Sequence, residues 1–290
     1  MKRRTYDDYD YEEEYNKQLN NLEEWEYEKL LEEKKVESLY RTATTKSENP
    51  KSKKTLLEAQ IYPSFYRKQD VPRGKRKKKT KAAIRNMNDK NSRRYLARLL
   101  NINFGEGDLW CTFGWDKEHY PEDEERARKD IKNWLAKINR KRKKTGQQNI
   151  KYVYILAYCD YERPHFHIVL EGAGVDRDEI EDMWNKCSRK NTRRIKPDQD
   201  YLITGIAAYI SKNPHGSKRW CSSRNLTRPP KATKSYSRFR KRKVLQMAKD
   251  HETLKQELEK EYKGYRVLDA EVRWNGVTAA FYIYARMIRD

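Results

Sequence analysis

Two short apolar runs five residues apart, Lys151–Cys159 (KYVYILAYC) and His165–Glu171 (HFHIVLE), constrain this chain most. Both are rich in β-branched and aromatic residues, and a turn as short as Asp160–Pro164 joins such runs only as an antiparallel hairpin. Upstream, Leu109–Trp115 (LWCTFGW) reads as a further strand. Between them, Pro121 and the acids EDEE open a helix whose Ile131, Trp134, Leu135 and Ile138 recur at helical spacing. The basic turn RKRKK and Gly146 stop it. Asp176–Cys187, Gln199–Lys212 and Val244–Glu261 read as further helices, and Arg266–Arg273 and Thr278–Arg286 as a hairpin turning at Asn275-Gly276. From residue 109 the order is β-α-β-β-α-(β)-α. The expected class is α+β, an antiparallel sheet with helices on one face.

Charge divides the chain. Residues 1–40 carry seven basic and thirteen acidic side chains, so the net +22 of the whole leaves +28 on residues 41–290. That excess points to a polyanion, foremost nucleic acid; the plainer alternative is a solvated basic surface. Hydrophobic residues make up only 36% of the 290, too few for one core spanning the whole length. The division expected is therefore a charged, disordered or partly helical N-terminal arm over 1–90, a core over 91–215, and a basic loop, helix and hairpin over 216–290. KSKK at 51–54 and GKRKKKTK at 74–81, with Lys77 and Lys78 at its centre, are expected to hold duplex backbone without sequence preference. No apolar run reaches the roughly 18–20 residues of a membrane helix, and the N-terminus has no signal-peptide core, so no membrane partner and a cytoplasmic location are expected. The four cysteines are scattered, without Cys-x-x-Cys or finger-like His spacing, and read as small core residues. No G-x-x-x-x-G-K-[ST] loop occurs, which excludes a P-loop helicase module.

Two constellations carry chemistry. In Pro164-His165-Phe166-His167, strand periodicity turns His165 and His167 to one face and Phe166 to the other. Two imidazoles so placed can hold one divalent ion; the alternative is a histidine pair without metal. Tyr209-Ile210-Ser211-Lys212 falls on an expected helix, where residues three apart are neighbours. A tyrosine there can attack phosphorus when cations offset the developing charge. Chance Tyr-x-x-Lys matches are common in a chain with 21 tyrosines, so this motif draws its weight from its position some forty residues after the histidines.

Together the motifs resemble the HUH-type rolling-circle replication initiators (Rep proteins) of phages, plasmids and integrated elements. PHFHIVL resembles the His-hydrophobic-His motif, AAYISK the single-tyrosine Y-x-x-K motif, and LWCTFGW the first strand motif. SSRNLTRPP and the C-terminal YRVLDAEVRWNG resemble segments of phage and Gram-positive-type members. The resemblance spans roughly residues 95–290 and implies an HUH endonuclease fold, RRM-like in topology. It also implies that His165 and His167 hold Mg²⁺ or Mn²⁺, and that Tyr209 attacks single-stranded origin DNA to form a 5′-phosphotyrosine. Lys212 would position a phosphate, and the freed 3′-OH would prime a host polymerase, with a host helicase unwinding. Because metal binding needs neutral imidazole, activity is expected to fall below the ordinary histidine pKa of about 6.5.

The family's third ligand is usually an acid on the strand before the histidines, where this sequence has Ala157; Asp160 or Glu162 in the turn are the substitutes, or water fills the position. Trp220, Arg224, Asn225 and Arg228, in the basic loop after the tyrosine helix, are expected to contact single-stranded DNA by stacking and phosphate pairing. The alternatives are a single-tyrosine transposase of the HUH class and a catalytically inactive DNA- or RNA-binding protein on the same sheet.

Overall fold

A computed structural model describes residues 38–65, 81–159, 162–211, 218–275 and 280–290. In chain order its elements are β1 (Ser38–Glu48), β2 (Thr55–Phe65), α1 (Lys81–Asn101), β3 (Leu109–Gly114), α2 (Glu124–Lys144), β4 (Tyr152–Cys159) and β5 (Glu162–Leu170). There follow α3 (Arg177–Asp182), β6 (Asn191–Arg194), α4 (Thr204–Ile210), β7 (Cys221–Ser222), β8 (Thr233–Ser235), α5 (Lys241–Lys249), α6 (His251–Glu261), β9 (Arg266–Asn275) and β10 (Ala280–Arg289). The protein is α+β. From β3 to α4 the order is the one expected, with β6 filling the uncertain strand. Contacts group the chain into two compact units: residues 47–54 with 92–229, and the described residues of 38–46, 55–91 and 230–290.

The first unit is built on an antiparallel sheet ordered β6-β3-β5-β4-β7. The β4–β5 hairpin is in register from Tyr152–Leu170 to Ala157–His165. On one face, Leu109, Cys111, Phe113, Tyr154, Leu156, Phe166, Ile168 and Leu170 meet the buried stripe of α2, Ile131, Trp134, Leu135 and Ile138, and Trp184 after α3. The rings of Phe113, Trp134, Phe166 and Trp184 pack mainly edge to face at centroid spacings of 5.0–6.1 Å, a geometry that favours aromatic pairs beyond their burial. Asp123 caps α2, its carboxylate accepting from Arg126 N at 2.7 Å. Glu124 and Glu125 in its first turn and Lys141–Lys144 in its last complement the helix dipole.

Helices also cover part of the second face, where the sequence led us to expect none. Val153, Ile155 and Val169 pack there against Leu96, Leu99 and Leu100 of α1 and Ala207 and Ile210 of α4. The apolar residues of α1 occupy only its last two turns, too short a stripe to read as a sheet-packing helix in sequence. Two expected helices are shorter: Asp176–Cys187 reduces to α3, and Gln199–Lys212 to the seven residues of α4. Residues 195–203 instead form a turn in which Asp198 accepts from Asp200 N and Tyr201 N.

The second unit corrects the expected division at 90 and 215. Residues 38–65 are β1 and β2, strands of a sheet ordered β8-β1-β2-β10-β9, rather than part of an arm without partners. Seven consecutive pairs join β2 to β10, from Thr55–Arg289 to Ile61–Ile283. Leu57, Ala59, Ile61, Ile283, Ala285 and Met287 face Val244 and Met247 of α5 and Leu254 and Leu258 of α6. The single helix expected over 244–261 is broken because Asp250 adopts an extended backbone and caps α6, accepting from Thr253 N at 2.7 Å. Residues 1–37, including the helix-like stretch from Leu19, and the basic run with Lys77 and Lys78 lie outside the described residues. Among the described residues no helix is long and apolar enough to cross a membrane. Cys111 is buried, which pushes its thiol up to about 12, and Cys187 and Cys221 are partly buried free thiols.

Candidate active site

Strand periodicity delivers the first part of the site. On β5, Phe166 and Ile168 enter the α2-facing core, while His165 and His167 lie on the opposite face with their ring centroids 5.2 Å apart. Register then fixes their neighbours. His165 pairs with Gly114 on one side and Ala157 on the other; His167 pairs with Thr112 and Ile155. Ala157 therefore stands beside His165 where an acid would complete a ligand set, and Asp160 lies outside the described residues.

Each imidazole has one nitrogen accounted for. His165 Nδ1 donates to the Arg163 carbonyl at 2.9 Å, which leaves Nε2 as the lone-pair nitrogen. His167 Nδ1 lies 2.9 Å from Thr112 Oγ1, a contact that fixes the ring as outer partners of metal ligands do. Burial, with His165 nearby, lowers the His167 pKa to about 4, so this ring is neutral at physiological pH. The donor set fits a divalent cation: two imidazoles with free lone pairs, both restrained from behind. Among the described residues no group of three or more His, Cys, Asp or Glu side chains forms a fuller ligand set, so the remaining positions would fall to water or phosphate oxygens.

Tyr209 joins the histidines from α4. Its ring meets His167 edge-on at 5.6 Å and Trp110 of β3 at the same spacing, while the residue stays 60% exposed. A seven-residue helix is not stable alone, and α4 has no side-chain cap of its own. The cap comes from α1: buried Asn101 accepts from Ile203 N at 3.0 Å and donates to Thr204 Oγ1 at 2.9 Å. Asn49 in turn donates to the Asn101 carbonyl at 2.7 Å.

Trp110, Thr112, Gly114 and Asn101 were not singled out from sequence. A signal existed for the first three, which alternate with Leu109, Cys111 and Phe113 in LWCTFGW and so share the histidine face. Nothing in the sequence marks Asn101. At Gly114 a Cβ would come 3.2 Å from the Pro164 carbonyl, so the absent side chain is what lets β5 approach at His165.

The other expected contacts divide. Trp220, expected to stack on bases, instead stacks on Tyr95 (5.9 Å, 14°) and donates to Ser92 Oγ at 3.0 Å. The Asn225 amide donates to Asn149 O at 2.7 Å. Asn103 clamps Thr227 through both backbone groups, so Arg224 and Arg228 are exposed on a pinned loop. Lys212 lies outside the described residues.

Residues 108–214 match the family model for ORF2-type replication-associated proteins. The match covers a little over a third of the chain and includes His165, His167 and Tyr209. It supports a replication initiator, a protein that binds DNA. No curated protein and no solved structure matches the chain.

Proposed function

We propose that this protein is a metal-dependent HUH endonuclease that initiates rolling-circle replication of a phage or mobile element. The observation that carries the reading is the meeting of His165, His167 and Tyr209 on one sheet face, from elements some forty residues apart. The Tyr209 oxygen attacks the scissile phosphorus of single-stranded origin DNA. A tyrosine O–P bond forms, the P–O3′ bond breaks, and O3′ leaves as a hydroxyl after taking up a proton. His165 and His167 would hold Mg²⁺ or Mn²⁺, which as a Lewis acid would polarise the phosphate. Imidazole donors without a carboxylate suit Mn²⁺ better than the harder Mg²⁺. Lys212 pairs with a phosphate, and the reverse attack by a 3′-OH rejoins the strand without ATP. Duplex DNA and the host's helicase and polymerase are the further partners.

The alanine opposite His165 favours a second reading, a DNA- or RNA-binding protein without catalysis. One experiment separates the two: incubation of the full chain with a pool of single-stranded oligonucleotides and Mn²⁺, followed by denaturing electrophoresis. A covalent adduct that is lost in Tyr209→Phe and in chelator supports the nuclease. Absence of any adduct, with the DNA still bound, supports the binding protein.

A further inference from the structure

The edge strand of the histidine-bearing sheet carries two exposed polar residues that the proposed chemistry does not use. β6 runs antiparallel to β3, with Asn191 opposite Thr112 and Arg193 opposite Trp110. Directly paired residues share a face of the sheet. Burial agrees: Thr192, opposite Cys111, is buried, whereas Asn191 and Arg193 are exposed. Arg193 thus stands one strand out from Trp110, which abuts Tyr209, and Asn191 one strand out from Thr112, which holds His167.

The guanidinium is oriented but not neutralised. Its Nε donates to Asn191 Oδ1 at 3.2 Å, and among the described residues no carboxylate pairs with it. Both terminal nitrogens therefore remain available as a planar fork, the arrangement that grips a phosphate through two parallel hydrogen bonds. Two strand spacings, about 10 Å, separate β6 from the histidine strand, so the fork lies on the approach to the reacting atoms.

We propose that Arg193, oriented by Asn191, binds a backbone phosphate of the single strand next to the scissile linkage. The strand then enters over the β6 edge and crosses Trp110 to reach Tyr209. This placement rests on the reading of Tyr209 as nucleophile, whereas the phosphate site itself does not.

The test uses the full chain carrying Tyr209→Phe, so that binding is read without cleavage, and the oligonucleotide it binds most tightly from a random single-stranded pool. Each linkage in turn is replaced by an uncharged methylphosphonate, and affinity is measured by fluorescence anisotropy at several salt concentrations. Arg193→Ala should weaken binding by roughly three- to tenfold and lower the log–log salt slope by about 0.7, the value for one phosphate contact on a single strand. One methylphosphonate position that weakens the parent should no longer weaken Arg193→Ala. Arg193→Lys should keep the salt slope but not the full affinity, because a point charge lacks the fork.

The neighbouring Arg194 pairs with Leu109, faces the other way and donates to the Gly107 carbonyl, so Arg194→Ala should reproduce none of this. An unchanged methylphosphonate profile in Arg193→Ala, or an equal loss in Arg194→Ala, overturns the proposal. A changed profile in Arg193→Ala, together with no covalent adduct from the protein that retains Tyr209, keeps the phosphate site and removes the nucleophile reading.

Discussion

Gly114 and His167 show how much of this site depends on single atoms. A methyl group at Gly114 would press the Pro164 carbonyl at 3.2 Å and displace β5 by a few tenths of an ångström at His165. Gly114→Ala should therefore raise the Mn²⁺ concentration needed for half-maximal adduct formation while the fold, followed by circular dichroism, is kept. His167 makes a separate prediction about acid. In the unfolded chain it takes up a proton near pH 6.5, but in the folded chain burial delays this to about 4. Between those values the unfolded state binds more protons, so stability falls as pH falls, by up to about 1.4 kcal/mol per unit before solvent screening. The melting temperature should drop between pH 6.5 and 4, and His167→Gln should flatten that drop. It follows that the acid limb of activity expected from sequence below pH 6.5 does not arise from His167. That the two histidines share a face was legible because a strand has period two. That His167 would be buried was not, because the covering helices come from distant parts of the chain.

At the scale of elements, α4 is held by its neighbours more than by its own sequence. Asn101→Ala would leave the Ile203 N–H without its buried acceptor, which costs about 1–3 kcal/mol, and would loosen the helix carrying Tyr209. Urea unfolding should detect the first effect, and adduct yield should fall with little change in oligonucleotide affinity. Tyr209→Phe, by contrast, should lose the adduct and keep the stability, since the ring remains against His167 and Trp110. The elements best read from sequence are those whose signals are local. The capped, amphipathic α2 and the β4–β5 hairpin lie within a residue or two of expectation. β1 was missed because its buried side chains include Thr42, Thr44, Thr45 and Ser47, a polar string with no apolar alternation to mark it. In β2, Leu57, Ala59 and Ile61 do alternate, but the lysines on either side obscured the pattern, and both strands find partners that no local rule identifies.

For the whole molecule, the consequence is where the chain tolerates cutting. Removing residues 1–65 takes away two of five strands, strips β10 of its partner over seven pairs and uncovers the face that α5 and α6 bury. Such a truncation should lose the cooperative unfolding of the second unit and aggregate, whereas removal of residues 1–37 alone should preserve it; thermal melts with light scattering read both. Fluorescence anisotropy on one duplex should then report the acidic segment separately, with non-specific binding tightening in the shorter deletion as repulsive charge is lost. The pairing of β2 with β10 also sets a clock on synthesis. At roughly 5–20 residues per second, about two hundred residues must be translated after β2 before its central partner exists. For roughly ten to forty seconds at that pace, a ribosome carries a polar β1 and a half-apolar β2 with nothing to close on. The polar threonine face and flanking lysines that hid these strands from the sequence reader are what keep such a waiting edge soluble.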